Sequence, residues 1–344
     1  SGVLAAMVAV FIFILPVFQA AGSRFIRPSD LVVSRVVDVT IAIWCLWIGS
    51  AVGSFLNVVA WRMPRGESVN GRSHCPRCQT QLKARDNFPV FGWLILGGRC
   101  RRCHLPISPR YPIVEAAVGL TLAVPVIGEV YLLSLPYQDV PATRDAMWAP
   151  RLDSPLILAT ATYHAVAIAA SWAVGLIRLD GVRIPNRLIA VVAVATIVPL
   201  ILVPSFAVVS WQMDAPPGYV PTDLTLTVNW IDSLARVLLA LVAAVLIART
   251  LARSLCPAAD LKLDPLGKST ARLIDSSVIL GIPIVTVGWQ AAPAVAAAAT
   301  LLAAVLRLRP DPLARFAIAV PIVMSVQITA WRWLETRAFW PGEG

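Results

Sequence analysis

Long apolar runs constrain this chain more than any other feature of its sequence. Of its 344 residues, 58% are hydrophobic and 14% are charged, against roughly 25% charged residues in an average soluble domain. A run of about 20 apolar residues crosses a ~30 Å hydrocarbon core as a helix, because a helix satisfies its own backbone hydrogen bonds. The composition therefore predicts an all-α, polytopic membrane protein.

Nine apolar runs can be counted, and they are the expected transmembrane helices. They cover residues 2–21, 37–60, 112–134, 155–177, 188–209, 233–252, 274–289, 291–306 and 314–333. The pair at 274–306 is short and interrupted by proline, so it is either two spans or one long re-entrant element. The first run is too long for a cleaved signal peptide and is expected to stay in the protein.

The net charge of +10 is concentrated in alternate loops of this nine-span arrangement. Of the 29 Lys and Arg residues, ten lie in 62–110, three in 178–187, five in 249–272 and three in 307–315. The loop 210–230, on the opposite side, has none. By the positive-inside rule the basic loops and the N-terminus are cytoplasmic. The charge therefore reports topology and contact with membrane lipid, and it argues against a nucleic-acid partner.

Two Cys-x-x-Cys pairs lie in the loop 61–111, namely Cys75 with Cys78 and Cys100 with Cys103. The 21 residues between the pairs are typical of a zinc ribbon, since each tight turn directs two thiolates at one ion and a tetrahedral site needs four. The alternatives are two disulfides or four free thiols, and a reducing compartment argues against disulfides. Because all four ligands are cysteines, no position is left for water and the expected Zn²⁺ is structural.

One polar side chain, His164, lies deep inside the fourth apolar run. It precedes Arg178 by 14 residues, which is about 20 Å at 1.5 Å per residue. A polar group at that depth needs a partner, so a helix-packing hydrogen bond is expected for it.

Four ordered motifs surround the cysteines: GSFLNVVAWRMPRGES at 53–68, CPRC at 75–78, RDNFPVFGWLILGGRCRRC at 85–103 and PISPRYPIVEAAVGL at 106–120. Together they closely resemble the N-terminal region of the bacterial type IV prepilin peptidase family. The resemblance implies an aspartyl endopeptidase of the bacterial inner membrane that removes the leader of type IV prepilins or pseudopilins at the cytoplasmic face. Many members also methylate the new N-terminus, so S-adenosylmethionine is a cofactor implied by the resemblance alone.

This resemblance suggests a division of the chain into four parts. Residues 1–36 would be an extra N-terminal span with a periplasmic loop, 37–60 a transmembrane helix, 61–111 the cytoplasmic zinc ribbon and 112–344 a peptidase-like helical domain. Glu115, one turn after Pro112, would be costly facing lipid, so it is expected at the bundle interior or the cytoplasmic rim. It is either a partner of Arg110 or a functional residue.

The family's first catalytic aspartate ends a span, seven residues before a Pro-Asp or Pro-Asn pair. The matching segment is LIRLDGVRIPN at 176–186, where counting back seven residues from Pro185 reaches Arg178. Arginine stays protonated and cannot act as a base, and it would hold a nearby carboxylate ionised. Asp180 is the candidate replacement, but two residues turn a helical side chain by about 200°, so it substitutes only where the helix unwinds. Otherwise Asp180 is an exposed partner of Arg178 or Arg183.

The family's second motif, Gly-x-Gly-Asp followed by x-Lys-Leu, falls on CPAADLKLDPLG at 256–267. Asp260 and Lys262 match it, so Asp260 is the second catalytic candidate and Lys262 an active-site neighbour. Pro257 and Ala259 stand where glycines would let the backbone approach a substrate closely. Further carboxylates on the same side are Asp264 and Asp275.

Three functions follow from these features. The first is an active prepilin peptidase in which Asp260 works with Asp180 or another carboxylate. The second is a family member that has lost proteolysis and acts as a prepilin-binding or assembly protein. The third, a transporter or assembly factor carrying a zinc ribbon, is disfavoured because no apolar run has the charges of an ion pathway. The sequence sets neither the particular prepilin nor the oligomeric state.

Overall fold

Helices dominate the computed structural model, which describes residues 2–20, 27–75, 77–131, 150–208, 225–255, 268–306 and 311–338. The helices are α1 (Gly2–Ala9), α2 (Leu15–Ala20), α3 (Pro28–Arg62), α4 (Phe91–Ile95), α5 (Arg110–Val130), α6 (Pro155–Leu179), α7 (Asn186–Leu202), α8 (Thr225–Leu255), α9 (Lys268–Val287), α10 (Ala292–Val305) and α11 (Pro312–Ala338). A π-helical turn, Val10–Ile14, joins α1 to α2. Within the described ranges there is no strand, so the all-α prediction is confirmed there.

Every one of the nine apolar runs overlaps a helix, but fewer helices have the length and apolarity of a full span. Five do so among the described residues: Leu31–Arg65, Arg110–Val130, Pro155–Leu179, Ser233–Leu251 and Pro312–Trp331. Shorter apolar helices cover Ala5–Phe18, Asn186–Leu202 and Trp289–Val305. The chain is thus a helical protein with several membrane-spanning candidates, and nine spans remain a prediction.

The start of α3 differs from the expected boundary. Helix α3 begins at Pro28, so residues 28–36, expected in a loop, are helical. Proline is well suited to a first helical turn because its missing N–H would have no partner there.

The runs at 274–306 form two helices, α9 and α10, joined by a 3-10 turn at Trp289–Ala291. Two spans and one re-entrant element both remain predictions for this region, since a pair of short helices joined by a turn fits either.

Helix α6 lies at the centre of the bundle, packed against α5, α9 and α11. Ser154 caps its start, accepting a hydrogen bond from the Ile157 N–H at 3.5 Å, and Pro155 follows in the first turn. Gly175 allows α11 to approach closely, since a Cβ there would lie 2.6 Å from the Ala317 carbonyl oxygen. The close packing fixes the direction of α6 and with it the position of its last residues.

Polar contacts join the helices at both ends of the bundle. At one end the start of α5, the end of α6 and the starts of α9 and α11 meet, and we call this the basic end. At the other end Tyr131 donates a hydrogen bond to Asp38 at 2.5 Å. Near it His164 contacts the Phe206 carbonyl oxygen through Nε2 at 2.9 Å and the Glu129 carboxylate through Nδ1. The helix-packing hydrogen bond expected for His164 is therefore confirmed.

Candidate functional site

The four cysteines of the loop between α3 and α5 form one cluster. Their sulfur atoms all lie within 4.8 Å of one another. The Sγ–Sγ distances are 3.8 Å for Cys75 and Cys103 and 3.9 Å for Cys78 and Cys100. A tetrahedron with metal–sulfur bonds of about 2.3 Å has edges of about 3.8 Å, so the donor set fits a tetrathiolate metal ion. These side chains could therefore hold one metal.

Two similar turns, 25 residues apart, build this cluster. In the first, the Cys75 N–H donates to the Thr80 carbonyl and the Gln79 N–H to the Cys75 carbonyl, both at 2.9 Å. In the second, the Cys100 N–H donates to the Leu105 carbonyl at 2.9 Å and the His104 N–H to the Cys100 carbonyl at 3.0 Å. Gln79 and His104 both have positive φ, 54° and 56°. The repeated turn presents each cysteine pair in the same way.

Hydrogen bonds and neighbouring charges shift the pKa values of several side chains in this loop in different directions. Hydrogen bonds from the side chain and backbone of Thr80 lower the pKa of Cys78 to about 6. The Leu105 N–H lowers the pKa of Cys103, but burial and the neighbouring thiols outweigh it and raise that pKa to about 11. Arg101 holds the pKa of Asp86 below its usual value through hydrogen bonds from Nη2 at 2.6 Å and Nε at 3.1 Å. This pair joins the second cysteine turn to residues 84–86.

Glu115 lies in the second turn of α5, buried against α3. Its Oε2 accepts a hydrogen bond from the Val90 N–H at 2.7 Å. Val90 has a φ of +62°, a costly conformation for a β-branched residue. Of the two roles considered for Glu115, pairing with Arg110 is not found, since Arg110 contacts Asp180 instead. Glu115 faces the bundle, as expected, and holds the loop against it.

A cavity of about 550 Å³ lies between α3, α5 and the cysteine loop. Its aromatic walls include Trp61, Phe88, Trp93 and Tyr111. Asn57 and Glu115 line it as buried polar groups. Among the described residues, Asn57 Nδ2 is buried and has no hydrogen-bond partner. The cavity combines apolar walls with a few polar groups, as binding pockets commonly do.

Arg178 occupies the last turn of α6 and is buried at the basic end. Its Nη1 lies 3.1 Å from Oδ2 of Asp275 on α9, and its Nη2 lies 3.6 Å from Oδ2 of Asp311, which precedes α11. Nη1 also donates to the Val182 carbonyl at 3.0 Å. Asp275 is only 2% exposed. Arg178, which stands at the position of the family's first catalytic aspartate, is therefore held in a buried ion pair with the carboxylate of Asp275.

Asp180 points away from this pair. Helix α6 ends with a Schellman motif, in which the Gly181 N–H donates to the Arg178 carbonyl at 2.9 Å and the Val182 N–H to the Ile177 carbonyl at 3.3 Å. Gly181 has the required left-handed φ of 74°. Asp180 is the C-cap and pairs with Arg110 of α5. The unwinding that would place Asp180 at the position of Arg178 is not seen, and its ion-pair partner is neither Arg178 nor Arg183.

Sequence reasoning missed the partner of Arg178. Asp275 had been noted only as a further carboxylate on the same side, and nothing in its local sequence indicates a pairing 97 positions away. Glu129 was not singled out either, although its place in an apolar run was a usable signal. The segment 256–267, with Asp260 and Lys262, lies outside the described residues.

The fold and the site together define a multi-helix membrane-type protein whose first long helices flank a tetracysteine loop. Residues 47–128 match the family model described as the bacterial peptidase A24 N-terminal domain. Residues 47–128 are thus similar to the N-terminal domain of the bacterial prepilin peptidase family, and the predicted resemblance is confirmed for this region. Helices α6 to α11 lie outside the match.

Curated relatives agree with this assignment. A type 4 prepilin-like proteins leader peptide-processing enzyme of Escherichia coli O78:H11 is 46% identical over 91 residues, 21% of this chain and 34% of that protein. Prepilin leader peptidase/N-methyltransferases of Myxococcus xanthus and Klebsiella pneumoniae are 50% identical over 80 residues and 43% over 103. These matches cover 23% and 25% of this chain and 24% and 45% of the two relatives.

The chain thus spans less than half the length of these relatives. No solved structure matches it.

Proposed function

We propose that this protein binds type IV prepilins or related pseudopilins at the cytoplasmic face of the bacterial inner membrane and does not cleave their leaders. The names of the relatives support the substrate class, since they are prepilin-processing enzymes matched across the tetracysteine loop. The ion pair between Arg178 and Asp275 is the observation that carries the loss of proteolysis.

Hydrolysis by a carboxylate pair needs one ionised group to take a proton from water and one protonated group to polarise the scissile carbonyl. Two carboxyl groups in close contact achieve this by sharing a proton. At Arg178 a permanently charged guanidinium stands 3.1 Å from Asp275 instead. It accepts no proton, and its contact occupies the carboxyl group of Asp275. Proton sharing is therefore absent at this place in the bundle.

Binding is assigned to the region of the chain that matches the family, residues 47–128. The cavity between α3, α5 and the cysteine loop supplies aromatic walls and the free Asn57 amide, which suit an extended peptide segment. Zn²⁺ on Cys75, Cys78, Cys100 and Cys103 would hold the loop in the conformation that closes this cavity. The metal has no open coordination position, so its role is structural.

A second candidate is an active aspartyl endopeptidase that uses Asp180 and Asp260, with Lys262 beside them. The names of the relatives favour it, as does the position of Asp180 at the end of α6. Its first step would be release of Asp180 from Arg110, so that this carboxylate could serve as the base. N-methylation with S-adenosylmethionine belongs to this candidate through the names of two of these relatives.

Reconstitution into proteoliposomes separates the two candidates. Wild type, Asp180→Ala and Asp260→Ala are each mixed with a type IV prepilin of the same organism, and both leader cleavage and retention of the prepilin on the vesicles are measured. We expect all three to retain the prepilin and none to release the leader. Cleavage by the wild type that is lost in both variants would establish the endopeptidase instead. Transfer of a labelled methyl group to the mature pilin tests the methyltransferase separately.

A further inference from the structure

Residues 87–96, which we call the fold-back segment, return from the cysteine loop along the sides of α3 and α5. The Val90 N–H reaches Glu115, which lies five residues inside α5, about 7.5 Å from its first residue. The Glu115 backbone packs on Gly53 of α3, where a Cβ would lie 2.9 Å from the Glu115 Cα. The segment is thus level with the spans and does not extend away from them.

An aromatic contact places part of the segment deeper still. The Phe88 ring stacks on Trp47 of α3 with a centroid distance of 6.2 Å. Trp47 lies six residues, about 9 Å, farther from the basic end than Gly53. Helix α5 has 21 residues and a length of about 30 Å, which matches the hydrocarbon thickness of a bilayer. Phe88 therefore lies at a depth where the spans are surrounded by acyl chains.

Apart from Asn87 at its start, the exposed side chains of the fold-back segment are apolar. Phe91, Leu94 and Ile95 are 58%, 56% and 68% exposed, and their i, i+3, i+4 spacing puts them on one face of α4. The inner face is fixed by Trp93, whose Nε1 donates to the Ile107 carbonyl at 2.9 Å. The exposed side chains continue the apolar surface of α3, because Phe91 contacts Phe88 and Phe88 contacts Trp47.

Several backbone groups of the segment have the internal partners that lipid requires, since in hydrocarbon every N–H and C=O group needs one. The Gly92 N–H donates to the Phe88 carbonyl at 2.7 Å and the Leu96 N–H to the Gly92 carbonyl at 3.1 Å. The Val90 N–H, which has no helical partner, is satisfied by Glu115. The segment thus pairs these backbone donors while exposing large apolar side chains, a combination suited to lipid and not to water.

We propose that the fold-back segment is inserted into the leaflet at the basic end, with Phe91, Leu94 and Ile95 in contact with lipid acyl chains. The partner is lipid because the patch is continuous with the outer surface of α3 at span depth. Since Phe88 and Trp93 also line the cavity, one wall of that cavity is then a membrane-embedded element. A ligand of the cavity would approach it at the bilayer interface.

Photo-crosslinking in lipid nanodiscs tests this insertion. p-Benzoylphenylalanine is placed at position 91 or 95, where the exposed side chains leave room, in nanodiscs of phosphatidylcholine and phosphatidylglycerol with an alkyne-tagged acyl chain. Control positions are Lys83, exposed between the cysteine pairs, and Leu105, an exposed apolar residue of the second turn. We expect lipid adducts at positions 91 and 95 to exceed those at both controls by at least about fivefold.

Size-exclusion profile and metal content confirm that each labelled variant is folded. Ile95 provides a second, independent site should the change at Phe91 disturb its ring contact with Phe88. Adduct yields at positions 91 and 95 no higher than at Lys83 would overturn the proposal. Crosslinks from these positions only to protein would overturn it as well, because they would show a covered patch.

Discussion

Arg178 is held by two charge partners, Asp275 on α9 and Asp311 just before α11, so its removal tests the packing of the whole basic end. We expect Arg178→Met to lower the free energy of unfolding by about 3–5 kcal/mol, because Asp275 would keep a buried charge without its partner. The double variant Arg178→Met/Asp275→Leu should recover much of that loss. Denaturant titration in mixed micelles measures these differences.

The matched control for this cycle is Arg183→Met, which removes an exposed arginine from the loop after α6. It should change the free energy of unfolding by less than about 1 kcal/mol. Equal losses in the single Arg178 variant and in the double variant would show that the ion pair does not account for the effect.

Glu115 makes a different contribution, since its carboxylate holds Val90 in a strained conformation. We expect Glu115→Ala to weaken the local structure by about 1.5–3 kcal/mol, the usual range for a hydrogen bond to a charged group. Amide exchange at residues 88–92 should accelerate by roughly one to two orders of magnitude, while exchange in α6 stays unchanged. Glu67→Ala, at an exposed glutamate, is the control. Unchanged exchange at Val90 would remove Glu115 from this role.

At the scale of elements, we predict that the two cysteine turns depend on a shared metal ion more than on packing. Metal analysis should find about one zinc per chain. Chelation should raise amide exchange across 74–81 and 99–106, where the turns repeat, and leave α6 and α11 protected. Retention of zinc after replacement of both Cys75 and Cys78 would contradict the four-cysteine site. Cys45→Ser, within α3, is the matched control that keeps the metal.

An element could be predicted from the sequence when the interactions that build it join residues close together in the chain. The helices follow from apolar runs, and the cysteine turns from spacing within four residues, so both were predictable from local sequence. The start of α3 at Pro28 was missed because residues 28–36 are too polar for a hydropathy window. The contacts of Arg178, Asp180 and Glu115 were not predictable, since each joins elements brought together only by bundle packing.

For the whole molecule, the arrangement of the helices gives the charge pattern a spatial meaning. The starts of α5, α9 and α11 meet the end of α6 at the basic end, while Asp38, Glu129 and His164 make contacts at the other. Among the described residues, the start of α5, the end of α6 and the starts of α9 and α11, each next to a loop rich in Lys and Arg in the sequence, lie on one side. The side of the membrane that the basic end faces can then be tested by experiment.

We predict that the basic end faces the cytoplasm, because loops rich in Lys and Arg are retained there. Reporter fusions test this directly. Green fluorescent protein fused after Gly66 or Gly181, both on the basic side, should fluoresce, and alkaline phosphatase at the same places should be inactive. Fusions after Leu152, between α5 and α6, should give the opposite pair of results. Active phosphatase after Gly66 would invert the topology and place the cysteine cluster in an oxidising compartment, where disulfides replace zinc.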